Sequence, residues 1–213
     1  MDVEKILPYF NQIDNNVVSK RISGIMFLFT FFGVILAISD PFNLLACIII
    51  MTGVGIINLL GMILLRSKKR IEVNFYLYLG IFYLLSSISF LTLFYKFIYA
   101  QLNINNIVLV ILAGLLYLII ICIEIIITNQ RVKNGYYTDN KYYKSMTKKW
   151  IGPLSLIGLN FIGMYTARAY FHFLGVENEY LGLAFLFLGL CYLFEIGIVN
   201  MIKYIIVSKE VSK

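Results

Sequence analysis

The chain has 213 residues, 61% of them hydrophobic and only 14% charged, and its mean hydropathy is +0.86. Soluble domains carry about 25% charged residues, so too little polar side chain is present here to cover a water-soluble surface. The formal net charge of +7 is gathered on particular loops, a pattern that argues against nucleic acid as a partner and for a membrane protein oriented by its charges and drawn to anionic lipid headgroups.

A bilayer core of about 30 Å takes about 20 apolar residues per helix. Six apolar segments, at 22–38, 42–65, 73–95, 106–128, 151–173 and 180–205, predict an all-α integral membrane protein built as a bundle of six transmembrane helices. The membrane domain then covers 22–207, between an N-terminal segment at 1–21 and a tail at 208–213. In the N-terminal segment Phe10, Ile13 and Val17 share one helical face, opposite Asn11, Asn15 and Ser19. A short interfacial helix from Pro8 to Lys20 and a simple cytoplasmic lead-in both fit. Ala37-Ile38-Ser39 resembles a signal-peptide cleavage site, but about 17 apolar residues exceed the usual core of 7–15, so the first span is expected to be retained.

Asp40-Pro41 is read as the first outer turn. The second span carries Asn58, with Thr52-Gly53 and Gly55 mid-membrane as the nearest approach to a broken helix; no span is expected to break. Arg66, Lys68, Lys69 and Arg70 form the first inner loop. The third span holds Ser86, Ser87, Ser89 and Thr92, hydroxyls expected to bond their own helix or a neighbour. The fourth holds Glu124 and runs into a basic loop at 129–149 with Arg131, Lys133, Lys141, Lys144, Lys148 and Lys149. The fifth carries Asn160, Tyr165, Arg168 and His172, and the sixth Glu195. The outer connections hold only Lys96, Asp40, Glu177 and Glu179. This alternation of Lys and Arg orients the bundle with the N-terminus and the C-terminus both cytoplasmic. Tyr78-Leu79-Gly80 recurs as Tyr180-Leu181-Gly182, too short a match to assign an inverted repeat.

Ionisable residues inside a span are costly and face the bundle interior or a cavity. Helical rise gives each a depth. Arg168 then falls near the outer surface and Glu195 about 22 Å below it, too far apart to pair. Glu124 at about 27 Å, Asn58 at about 25 Å and Glu195 are expected to share a polar layer in the cytoplasmic half. Two carboxylates there repel, so one is expected to hold a proton at neutral pH, or the pair to bind a cation; snorkelling of Glu124 to the inner interface is the plainer alternative. Arg168 and His172 are candidates for an outer vestibule. Gly182, Gly189 and Gly197 fall within about 80° of one another on the sixth helix, roughly opposite Cys191 and Glu195, and form a candidate face for packing a partner helix or a second copy; a helix wedged between two neighbours of its own chain fits equally well.

Cys47, Cys122 and Cys191 all lie in apolar segments without metal-ligand spacing, and there is one histidine, so no metal or cofactor is expected. No nucleophile, base and orienting group recur at usable spacing, so an enzyme is not expected. The abundance of Ile, Asn, Lys and Tyr fits an AT-rich bacterial genome and a multi-pass protein of its cell membrane. The first functional expectation is a membrane-embedded binding partner, of accessory or immunity type, for another membrane or secreted protein. The alternative is a small-substrate or ion transporter or permease subunit that uses the intramembrane carboxylates.

Overall fold

In lipid every backbone polar group has to be satisfied within its own segment, which leaves apolar stretches of this length the helix as their form. The computed structural model describes residues 15–40, 42–67, 71–101, 107–133 and 179–211. The first fourteen residues, residues 134–149 of the basic loop and the predicted fifth span at 151–173 lie outside them. The described elements are α1 (Asn15–Ile38), α2 (Leu44–Ser67), α3 (Ile71–Lys96), a π-helical turn at Phe97–Gln101, α4 (Ile107–Lys133), α5 (Glu179–Glu195), a 3₁₀ turn at Ile196–Ile198, and α6 (Val199–Val211). Among the described residues five helices are long and apolar enough to cross a membrane: Val17–Ile38, Leu44–Ser67, Val73–Tyr99, Ile111–Gln130 and Gly182–Ile202. They coincide with the first, second, third, fourth and sixth predicted spans. The first helix starts earlier than its apolar run, because Val18 and Ile22 are buried at 0% exposure and fold the polar residues around them into the helix.

Side chains set the element ends. α1 stops at Ile38, where the Ser39 hydroxyl donates to Leu36 O at 2.9 Å. Asn43 opens α2 as its N-cap: its Oδ1 accepts the Ala46 amide at 3.0 Å while its carbonyl accepts the Cys47 amide at 2.9 Å. The sixth predicted span does not run as one regular helix. It tightens into a 3₁₀ turn directly after Glu195, and the Asn200 Nδ2 donates to Gly197 O at 2.9 Å there.

The α3 helix is the centre of the bundle, with α1 and α2 on one side and α5, the 3₁₀ turn and α6 on another; α4 leans on α5 and α6. Contacts give the directions. Asn58 meets Thr30, and Gly61 meets Met26, so α1 and α2 are antiparallel. Ser87 meets Cys191 and Gly80 meets Met201, so α3 runs against α5 and α6. By contrast Ala113 pairs with Tyr192, and Glu124 lies further on beside Glu195, so α4 and α5 run parallel. Lys20, Arg21 and Arg66 therefore share one end of the bundle, with Ser39, Asp40 and Lys96 at the other.

Two apolar clusters fill the interior. Val18, Ile22, Ile57, Phe75 and Tyr78 join α1, α2 and α3 at the basic end. Leu93, Phe94, Phe97, Ala184 and Phe187 join α3 and α5 towards the opposite end. A ladder of rings binds α3 to α5, with Phe90 5.2 Å from Phe194 and Phe97 5.5 Å from Phe187. Outside, Phe27, Phe31, Phe32, Leu112, Leu116 and Ile119 are exposed. That surface suits hydrocarbon and would be an aggregation patch in water.

Candidate functional site

Four hydroxyls on α3 show how the bundle handles polar groups. Ser86, Ser89 and Thr92 donate to the carbonyls of Phe82, Leu85 and Ile88 one turn back, at 2.7, 2.8 and 2.8 Å. Only Ser87 turns to a neighbour, donating to Cys191 O at 3.0 Å with its oxygen 3.5 Å from Cys191 Sγ. That contact marks the floor of a buried polar cluster shared by α3, α4 and α5.

Glu195 is the centre of the cluster. It is 0% exposed, and neither carboxylate oxygen has a hydrogen-bond partner. Tyr117 of α4 reaches in from the side; it is 8% exposed, and its hydroxyl, near Ser87, makes no hydrogen bond either. Glu124, two turns further along α4, is partly exposed and close enough for its charge to act on Glu195. Cys191, one turn before Glu195, is fully buried. An unpaired carboxylate away from water is expensive, and the usual outcome is that it neutralises or finds a ligand. The three orphaned polar atoms belong to Tyr117 and Glu195, which lie near enough for the charge of Glu195 to act on Tyr117.

Of the predicted polar layer, Glu124 lies within electrostatic reach of Glu195, whereas Asn58 is engaged elsewhere. Its Nδ2 donates to Thr30 Oγ1 at 2.7 Å and to Val54 O at 2.9 Å, which ties α2 to α1. Asn58 lies roughly one helical turn from Glu195 in depth, about 5 Å, but on a different face of α3. Depth follows from counting residues; rotation about the helix axis does not. The Asn58–Thr30 bond is expected to show a coupling of about 0.6 kcal/mol in an Asn58→Leu, Thr30→Val double-mutant cycle read by unfolding in detergent. A zero coupling there would remove the bond from the account of the fold.

The glycine face divides. Gly182 and Gly189 have nothing within 4 Å of an added Cβ, while Gly197 is seated against the Tyr83 ring of α3. The cause is the 3₁₀ turn. At about 120° per residue instead of 100° it carries Gly197 away from the line of the other two, towards about 120° from Gly189. Arg168 and His172, the predicted outer vestibule, lie outside the described residues. Of the other two cysteines, Cys122 is exposed and Cys47 is half-buried.

Two residues of the cluster stood outside the predicted polar layer, Tyr117 and Cys191. A signal existed: Tyr117 is seven residues before Glu124 and Cys191 four before Glu195, spacings that share a helical face. Among the described residues no group of three His, Cys, Asp or Glu could hold a metal ion. No known protein family, curated protein or solved structure matches this chain.

Proposed function

We propose that this is a non-enzymatic bacterial cell-membrane protein of six spans with both termini cytoplasmic, and that it takes part in proton- or cation-linked transport through the carboxylates Glu195 and Glu124. The observation that carries this reading is the fully buried, unpartnered Glu195 carboxylate facing Tyr117 and Glu124 in the bundle interior. Intramembrane ionisable groups of this kind mark ion pathways and proton relays. The six-span count is supported by the parallel run of α4 and α5, which requires the chain between Lys133 and Glu179 to return to the opposite end. The orientation is supported by Lys20, Arg21 and Arg66, exposed at one end, where anionic headgroups would meet them.

Reconstituted in liposomes, the protein is expected to pass protons or monovalent cations, and Glu195→Gln to lower that flux on the order of a hundredfold. Equal flux through both proteins, or none through either, would remove the transport reading.

A second reading, the membrane-embedded partner of another membrane or secreted protein, is favoured by one observation. Gly182 and Gly189 leave an open strip on α5 where a foreign helix could approach closely. Its measure is affinity purification with crosslinking from Ser67: a stoichiometric partner supports it, and recovery of the bare, flux-competent protein removes it. The carboxylate pair places the transport reading first.

A further inference from the structure

We infer that the species handled at Glu195 is the proton itself, passed between Glu195 and Glu124 beside Tyr117, and not a metal cation; this rests on the transport reading above. The donor set decides between the two. Hard cations take six or more oxygens in closed arrangements. Here two carboxylate oxygens and the Tyr117 hydroxyl are without partners, and even with the Ser87 oxygen, whose proton goes to Cys191 O, the side chains offer four oxygens. Transporters that bind a cation at an irregular helix draw on the carbonyls which the irregularity releases. The 3₁₀ turn after Glu195 supplies no such carbonyl at Gly197, because the Asn200 side chain occupies Gly197 O at 2.9 Å. Among the described residues no third acidic, thiol or imidazole group completes a metal set.

A proton needs none of this. It removes the charge that burial penalises, and it turns one of the two orphaned carboxylate oxygens into a donor in the same cluster as the unpartnered Tyr117 hydroxyl. The titratable side chains within electrostatic reach of Glu195 among the described residues are Tyr117 and Glu124 of α4, and Cys191 and Tyr192 of its own helix. None is a cation that would hold Glu195 ionised, and Glu124, if charged, repels its charge. Glu124 is partly exposed and lies about 14 Å along α4 from Lys133, on the route to the basic end. The transfer balances: the O–H bond of Glu195 breaks, an O–H bond forms on Glu124, and the negative charge moves from Glu124 to Glu195.

The test is infrared spectroscopy on the full chain in phosphatidylethanolamine–phosphatidylglycerol vesicles, beside proton flux measured with an internal pH dye. At neutral pH a neutral-carboxyl C=O band is expected in the wild type. It should vanish in Glu195→Gln and persist unchanged when sodium or potassium is added. Glu124→Gln should keep the band and slow proton flux on the order of a hundredfold. Glu195→Leu, matched in size and without polar atoms, provides the same loss of band should the Gln variant fold poorly. A band that is absent at neutral pH, or that sodium or potassium abolishes, overturns the proton assignment even where a Glu195-dependent cation flux keeps the transport reading alive. A band that behaves as expected in a protein passing no protons overturns the transfer, and where no monovalent cation passes either it overturns the transport reading with it.

Discussion

Replacing Gly80 by alanine is expected to cost about 3 kcal/mol of stability, the upper part of the range for overpacking a tight interior. The added methyl would stand 2.7 Å from the backbone nitrogen of Met201 as well as against its side chain. Backbone cannot rotate aside, so α6 as a whole would have to move off α3. Gly61 provides the contrast: its methyl would meet Met26 Sδ and Cγ, the far end of a side chain with three rotatable bonds. Gly61→Ala should therefore cost clearly less. Gly24 and Gly55 have nothing within 4 Å of an added Cβ. Their alanine variants should be neutral or gain up to about 1 kcal/mol from helix propensity. Thermal unfolding in one detergent, followed by circular dichroism, gives the order directly. Equal losses at Gly80 and Gly55 would show that close approach of α6 to α3 does not support the fold.

The same variants bear on how the bundle is held. Lipid chains are as apolar as leucine side chains, so burial alone does not drive helices together in a membrane; close packing and interhelical hydrogen bonds do. Gly33 against Val54, Gly61 against Met26, Gly80 against Met201 and Gly197 against Tyr83 form the close approaches. Asn58–Thr30 and Ser87–Cys191 are hydrogen bonds that cross between helices.

Helix positions were legible in the sequence because span length is dictated by bilayer thickness, and α2, α3 and α4 each start within two residues of the predicted boundaries. Depth was legible for the same reason: rise per residue is constant, so Glu124 and Glu195 could be matched along the membrane normal. Rotation was not. These helices are apolar on nearly every side, so no polar stripe tells which face meets a neighbour and which meets lipid. Asn58 could thus be placed at its depth but not on the α1 side of α2. The 3₁₀ turn after Glu195 was also hidden, since Ile196, Gly197 and Ile198 are unremarkable in a membrane helix. It goes with the contact of Gly197 with Tyr83 of α3, which is non-local, and with the bond from the Asn200 side chain to the Gly197 carbonyl three residues back. Lys96 is the plainest case. Counted along the chain it is one charge near a segment end; in three dimensions it is interior.

Lys96 is 3% exposed, and the three protons of its ammonium group all have acceptors: Ser39 O at 2.7 Å, Ser39 Oγ at 3.1 Å and Leu36 O at 3.3 Å. The last carbonyls of a helix have no partner within it, and the helix dipole makes that end negative. A cation from α3 therefore caps the end of α1 and fastens the first helix to the central one. Lys96→Met keeps the length of the stem and removes the charge, leaving the Ser39 carbonyl without this donor and the Leu36 carbonyl with the Ser39 hydroxyl alone. The expected loss is about 2 kcal/mol, the scale of hydrogen bonds to a charged group after the relief of its own desolvation. Lys96→Arg should not restore it, because a planar fork cannot direct its donors at three acceptors converging on a point. Ser39→Ala should cost about 1 kcal/mol alone and add little to Lys96→Met, since the two changes break shared bonds. Amine labelling gives an independent measure: a water-soluble acylating reagent should modify Lys20, which is exposed, and leave Lys96 untouched until the protein unfolds. Ready labelling of Lys96 in the folded protein, or an unchanged melting point in Lys96→Met, would remove the clamp.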